Sequence, residues 1–379
     1  GTVLTEVLFR PGMNGLNKKA VHTAKERKGI LKRFIKAAKV CCTLIIIVLL
    51  LIFPKSASQS VYDSIQVCLG TIIPSMFAFM AISTFIINEG LHSIIFRPLY
   101  FLLHRIIRLD RSTFAIFCLS LIGGYPVGIK LLRDRLHYDE SYRKTAENSA
   151  MFCYCISPSF AVTMIGLGVY SSVEAGMIVY LSNAAACITA AVIFGSNSVT
   201  SDEKQPKTGG GMIYAIRSSA LSLFTVCTVI VAFNVILSMC SELLKAAGAT
   251  LPPSALGFFE ISNLLKIPPE INSLPLISGI SSFGGLCVLM QCAAVCGGAF
   301  SLGRFLLSRV PIALLSGFYC AVFLHFFDIS VPASGAVRYT FEFNANEIVL
   351  PLLMAMNVIL FSKKKKICER GRYSAKNVI

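Results

Sequence analysis

The sequence predicts an all-α membrane protein: a polytopic transmembrane bundle of about eight spans plus two re-entrant segments, built as an inverted-topology repeat. Three observations predict it. The chain of 379 residues is 55% hydrophobic and 14% charged, with a mean hydropathy of +0.71, whereas soluble domains carry about 25% charged residues. Its apolar residues gather into stretches near the roughly 20 residues that a helix needs to cross a bilayer. Its basic residues gather between those stretches, at 18–39, 97–111, 130–144, 204–217, 304–309 and 363–372, as they do in cytoplasmic loops facing anionic head groups.

In chain order, spans are expected at about 39–53, 64–88, 147–170, 175–195, 212–240, 275–300, 305–327 and 346–362. The first and last are short, but the Lys clusters at their edges can snorkel to the interface. The basic runs Lys18 to Lys39 and Lys363 to Arg372 place both termini in the cytoplasm, which requires an even number of spans. Loops 130–144 and 201–217 fall inside with them, whereas loops 54–63, 171–174, 241–256 and 328–345, poor in Lys and Arg, fall outside. Residues 18–39, apolar Val40–Phe53 and the small residues Ser56-Ala57-Ser58 also have the cast of a signal sequence. The basic stretch is long for one, and an uncleaved anchor is the expectation.

Two apolar stretches do not fit as spans. Thr113–Leu132 contains Leu121-Ile-Gly-Gly-Tyr-Pro-Val-Gly128 and carries cytoplasmic-type charge at both ends: Arg105, Arg108 and Arg111 before it, Lys130, Arg133 and Arg135 after it. It is expected to enter from the cytoplasm, turn at Gly123-Gly124-Tyr125-Pro126 and return, because Gly permits unusual backbone angles and Pro donates no backbone hydrogen bond. An ordinary Gly/Pro-kinked helix is the competing reading. Pro252–Lys266, short and holding Glu260, is expected to dip in from the outer side. His92–Arg111 reads as an amphipathic interfacial helix, with Ile94, Ile95, Leu99, Phe101 and Leu102 set against Arg97, His104, Arg105 and Arg108.

The parts recur. Span 64–88, re-entrant 113–132 and spans 147–170 and 175–195 are echoed by span 212–240, re-entrant 252–266 and spans 275–300 and 305–327. The first set begins outside and the second inside, so the repeat is inverted, a common way to build a solute site near the bilayer midplane. The chain thus divides into a basic cytoplasmic segment (1–38), a first span and outer loop (39–63), repeat 1 (64–200), a cytoplasmic linker (201–211), repeat 2 (212–327) and a last span with a basic tail (328–379).

Composition also excludes function classes. The net charge of +16 lies beside apolar runs without interleaved aromatics, which argues for a membrane surface and against nucleic acid. Most of the fourteen Cys sit inside apolar runs, and the clusters Cys153/Cys155 and Cys287/Cys292/Cys296 lack both metal-site spacing and a nearby His. No metal and no cofactor is expected. No G-x-S-x-G, H-E-x-x-H or Walker glycine loop occurs, so no enzyme is expected.

Polar groups inside apolar segments are the functional candidates, because each is costly there unless paired or hydrated. Glu260, with Ser262 and Asn263 beside it, suits a ligand hydroxyl, a cation or a proton; a structural helix cap is the alternative. Ser157-Pro158-Ser159 lies halfway along an expected span and suits a discontinuous helix, with a plain Pro kink as the alternative. Gln291 is a third candidate or a cross-helix bond, while Asn183 and Asn234 read as helix–helix glue. Glu147 is expected to pair with Arg143 or Lys144.

At Gly124, Tyr125, Pro126 and on to Lys130 the chain resembles a known family. The G-Y-P-x-G-x-K run, Pro74-Ser-Met-Phe-Ala-Phe79, Phe152-Cys153 through Pro158-Ser-Phe160, Phe259-Glu-Ile-Ser262 and Gly285 to Gln291 are similar to motifs of the YlbJ-type sporulation integral membrane proteins, which carry a nucleoside recognition, or Gate, domain. The likeness covers about residues 60–327. The chain departs from it where Tyr154 and Cys155 replace paired Asn and where Cys287 replaces Ser. The resemblance implies a role in spore cortex formation and carries over Glu260, Gln291, Gly124, Pro126 and Ser157–Ser159 as matched positions.

The function expected is therefore a transporter or gate for a small polar, nucleoside-like solute in the cell membrane, with a non-transporting scaffold of a spore-envelope complex as the alternative. Partners expected are membrane lipids, the solute, and either a second copy or spore-envelope proteins. A midplane cavity is expected between parts of 121–128, 156–160 and 258–263.

Overall fold

The computed structural model describes residues 33–34, 36–195, 211–249, 252–268 and 270–327. The expected last span at 346–362, most of the amino-terminal basic segment and most of the 201–211 linker lie outside the described residues. Within them the chain is helical, without strands. We number the main helices α1 (residues 36–52), α2 (Pro54–Asn88), α3 (Arg111–Gly123), α4 (Tyr125–Tyr138), α5 (Arg143–Ser149), α6 (Pro158–Tyr170), α7 (Val173–Phe194), α8 (Gly211–Ala246), α9 (Pro253–Phe259), α10 (Leu274–Phe283), α11 (Gly285–Cys296) and α12 (Gly303–Phe326).

Five of these units are long and apolar enough to cross a membrane: α2, α7, α8, α10 with α11, and α12. They overlap the spans expected at 64–88, 175–195, 212–240, 275–300 and 305–327 and are consistent with an all-α membrane protein, but α2 begins at Pro54, so the expected outer loop 54–63 is helix instead. Their outward faces carry bare apolar side chains, including Phe224 at 69% exposure on α8 and Leu307 at 79% on α12, as lipid-facing helices do. The starts follow sequence rules. Pro lies in the first turn of α2, α4, α6, α9 and α10, where its missing N–H is an orphan anyway. Asp110 accepts from the Thr113 amide at 3.0 Å to open α3, and Ser172 from the Ala175 amide at 3.2 Å to open α7. Midway, α2 loosens into a π turn at Cys68–Ile72, which absorbs the missing donor of Pro74.

The expected span at 147–170 is interrupted, as the discontinuous-helix reading of Ser157-Pro158-Ser159 expects. Helix α5 ends at Ser149, the chain runs without regular helix to Ser157, and α6 begins at Pro158. Pro158 forbids a helical bond there and pushes Ser157 into extended backbone (ψ 146°).

The 113–132 segment does turn back on itself. Helices α3 and α4 meet at Gly124, whose φ of 90° is open to glycine and strained for other residues. They then run side by side, so closely that a β-carbon on Gly128 would lie 2.8 Å from that of Ser120. The hairpin is longer than expected, since α4 continues to Tyr138. Residues 130–138 of the expected basic loop are thus helix, with Lys130, Asp134 and Arg135 buried. The 252–266 segment is also a compact fold-back: α9, an extended Glu260, then a 3-10 turn over Ile261–Lys266. The 92–111 stretch is two short helices, His92–Ile95 and Arg97–Leu103, with Ile94, Phe101 and Leu102 exposed.

The core lies where the α3–α4 hairpin, residues 150–156, α7, α10 and α12 pack together around Phe114, Phe117, Ile129, Phe152 and Ile277. Helix α8 packs along α2, and α7 along α12.

Candidate functional site

Four interruptions in helix come together in this core. The first is the hairpin tip, where Gly124 lies against Ser157, whose β-carbon is 3.2 Å from the point a side chain on Gly124 would occupy. The second is residues 150–157. The third is Gly284, in left-handed backbone (φ 85°) between α10 and α11, where the Tyr154 hydroxyl fills the space a side chain would need. The fourth is the Glu260 turn, since the carbonyl oxygens of Gly257, Phe258 and Phe259 face Gly285.

Tyr154 joins them. Its ring lies 4.8 Å from that of Tyr125, and its hydroxyl donates to the Phe283 carbonyl at 3.0 Å. The Tyr125 hydroxyl in turn donates to the Ser281 carbonyl. Both rings are buried. Tyr154 is thus the centre of the constellation. Sequence reasoning noted the departure from the resembled family there without giving Tyr154 a role.

The other candidates find their places around this hub. Glu260 accepts from the amide of Ser262 at 2.9 Å and from its hydroxyl, and the Asn263 amide group donates to the Glu260 carbonyl at 3.2 Å. Its carboxylate therefore caps the 3-10 turn. Ser157 accepts from the Phe160 amide at 3.2 Å and caps α6, with Pro158 next to it, while Ser159 is exposed. Pro126 fills the first turn of α4. Gln291 donates to Cys287 one turn earlier in α11, at 3.4 Å, so it bonds along its helix rather than across. Asn183 ties α7 to Ser278 and Ser281 of α10, and Asn234 ties α8 to Ser64 of α2. Glu147 accepts from the Ser301 amide at 3.1 Å, while Arg143 pairs with Glu140.

Two charged features escaped the sequence reading. On α4, Lys130 is fully buried and bonds Asp134 at 2.6 Å and the Thr84 hydroxyl of α2 at 2.6 Å. Arg133 bonds the other Asp134 oxygen at 2.8 Å and the Val295 carbonyl of α11 at 2.7 Å, and Ser218 of α8 reaches Asp134 at 3.3 Å. This network ties the hairpin to α2, α8 and α11. Lys130 and Asp134 stand one helical turn apart in an apolar run, which was the available signal. The second is Arg309, read from sequence as the end of a basic run. Arg304 fits that reading, since it bonds Asn148 at 2.6 Å; Arg309 does not, being fully buried. Its place between Ser308 and Val310, one turn past the start of the span expected at 305–327, was the signal.

At the foot of the hairpin a cavity of about 430 Å³ is lined by Arg133, Asp134, His137, Arg143, Tyr214 and the Cys296–Ala299 turn among others. It does not lie between the three stretches expected to enclose one, and two of those stretches meet in contact at Gly124 and Ser157. Nearby, burial and then the Asp110 charge hold the Tyr142 phenol well above its ordinary range, so it stays protonated beside the Thr113 hydroxyl. Among the described residues no cluster of three or more His, Cys, Asp or Glu is arranged to hold a metal ion. Comparison with known protein families, curated proteins and solved structures finds no match.

Proposed function

We propose that the chain carries or gates a small polar solute across the cell membrane, using the hub of broken helices as its moving part. The carrying observation is the meeting of fold-backs with helix breaks. In the first half the hairpin tip at Gly124 touches the break at Ser157; in the second the Glu260 turn touches the break at Gly284 and Gly285. Corresponding helices of an inverted repeat also lie beside each other, α2 with α8 and α7 with α12. That arrangement is the one expected of two inverted halves, each with a discontinuous helix. An eight-span topology with both termini cytoplasmic belongs to this reading, as do a nucleoside-like solute and a role in spore cortex formation, which rest on the resemblance to YlbJ-type proteins.

Binding is tested by thermal melting of purified protein with a panel of nucleosides. A bound solute at about a hundred times its Kd stabilises by about 2.7 kcal/mol, and at least one member of the panel raises the melting temperature. If none does, the nucleoside assignment fails. Glu260→Gln is the companion variant: an unchanged response removes the Glu260 carboxylate from the site and leaves it a cap.

One observation favours a second reading, a non-transporting scaffold. Two candidate groups are engaged within the protein, Glu260 by the amide and hydroxyl of Ser262 and Ser157 by the Phe160 amide. A scaffold needs no more than that.

A further inference from the structure

Arg309 is the least explained charge in the molecule. Its guanidinium is clamped between two aromatic faces, with Cζ 4.6 Å from the Tyr154 ring centre and 4.7 Å from that of Phe305. Nε donates to the Phe305 carbonyl at 3.3 Å, and Nη2 to the Met151 carbonyl and to Ser308. Nη1 meets no hydrogen-bond partner, and no carboxylate pairs with Arg309 among the described residues. A buried charge left unpaired is strongly unfavourable, and cation–π contact with two rings offsets only part of that cost. The surroundings add positive potential. The amino-terminal ends of α4 and α11 both abut Tyr154, through Tyr125 and Gly284, and carry the positive ends of their helix dipoles. Neutral Tyr154 lies between these ends and the guanidinium.

We propose that Arg309 is the counter-charge for an anionic group, a phosphate or a carboxylate, that binds in the hub at its free Nη1. With Nε and Nη2 already engaged, the free Nη1 of a guanidinium stacked on aromatic faces is the group that donates to an oxygen of a flat or tetrahedral oxyanion. This rests on the transport reading and narrows it: the solute carries a negative charge. It survives as a binding site if no transport occurs.

The test is melting of the purified full chain against inorganic phosphate and, separately, acetate, each with sodium chloride at matched ionic strength. We expect at least one oxyanion to raise the melting temperature where chloride does not. Arg309→Met abolishes the shift, and Arg309→Lys, which keeps charge but not the guanidinium, weakens apparent affinity by about tenfold. Arg143→Gln, at the exposed foot of the hairpin, leaves it unchanged. If Arg309→Met does not fold, the Lys variant decides alone. No oxyanion shift in the parent protein, equal shifts with chloride, or an unaltered shift in the foldable Arg309 variants overturns the proposal.

Discussion

Gly124 is the residue on which the hairpin turns. Its backbone angle excludes side chains by strain, and its neighbour Ser157 leaves no room for one. Gly124→Val is expected to lower stability by about 1–3 kcal/mol, seen as an earlier melting transition in detergent; an unchanged transition would contradict the geometry. Lys130, Arg133 and Asp134 form the second residue-scale test. Asp134→Leu alone strands two buried or half-buried cations and is expected to cost about 3–5 kcal/mol. The double variant Lys130→Met/Asp134→Leu should lose less than the sum of the singles, because each removes the other's unpaired charge. Strict additivity in a double-mutant cycle would show that the pair is not coupled. Sequence displayed Gly123-Gly-Tyr-Pro126 openly as a turn, because Gly and Pro act locally. It hid the roles of Lys130 and Arg309, since a cation at the edge of an apolar run reads as interfacial until packing shows it enclosed.

Among elements, the α3–α4 hairpin makes the sharpest prediction. A side chain on Gly128 would strike Ser120 and the Cys153 carbonyl, so Gly128→Leu wedges the hairpin apart from the 150–157 stretch. Overpacking of this kind costs about 1–3 kcal/mol or more, measured by melting. Gly303→Ala is the control, since a β-carbon there meets only the Ser301 hydroxyl at 3.6 Å. Equal effects at the two sites would refute the close packing. The hairpin was legible because both its ends carry basic charge, which a single crossing does not allow. The break at 150–157 was less so: the sequence flagged Pro158, but nothing local announced that eight residues before it would leave the helix. That stretch leaves the helix through turns at 150–152 and packs Tyr154 against Tyr125 and Arg309, contacts with distant parts of the chain that no local pattern announces. Gly284-Gly285 lies inside an apolar run, and its meaning came only with the neighbouring Glu260 turn.

Among the described residues, five apolar helices and many exposed Leu, Ile and Phe side chains agree with the composition from which the membrane reading began. The central claim is that the hub of broken helices passes a solute. Uptake into sealed proteoliposomes measures it most directly, with labelled uridine and labelled phosphate as separate solutes. The account predicts uptake of at least one above protein-free liposomes, saturating with concentration and lost in Gly124→Val protein that still inserts. Uptake of both no faster than in protein-free liposomes would contradict it.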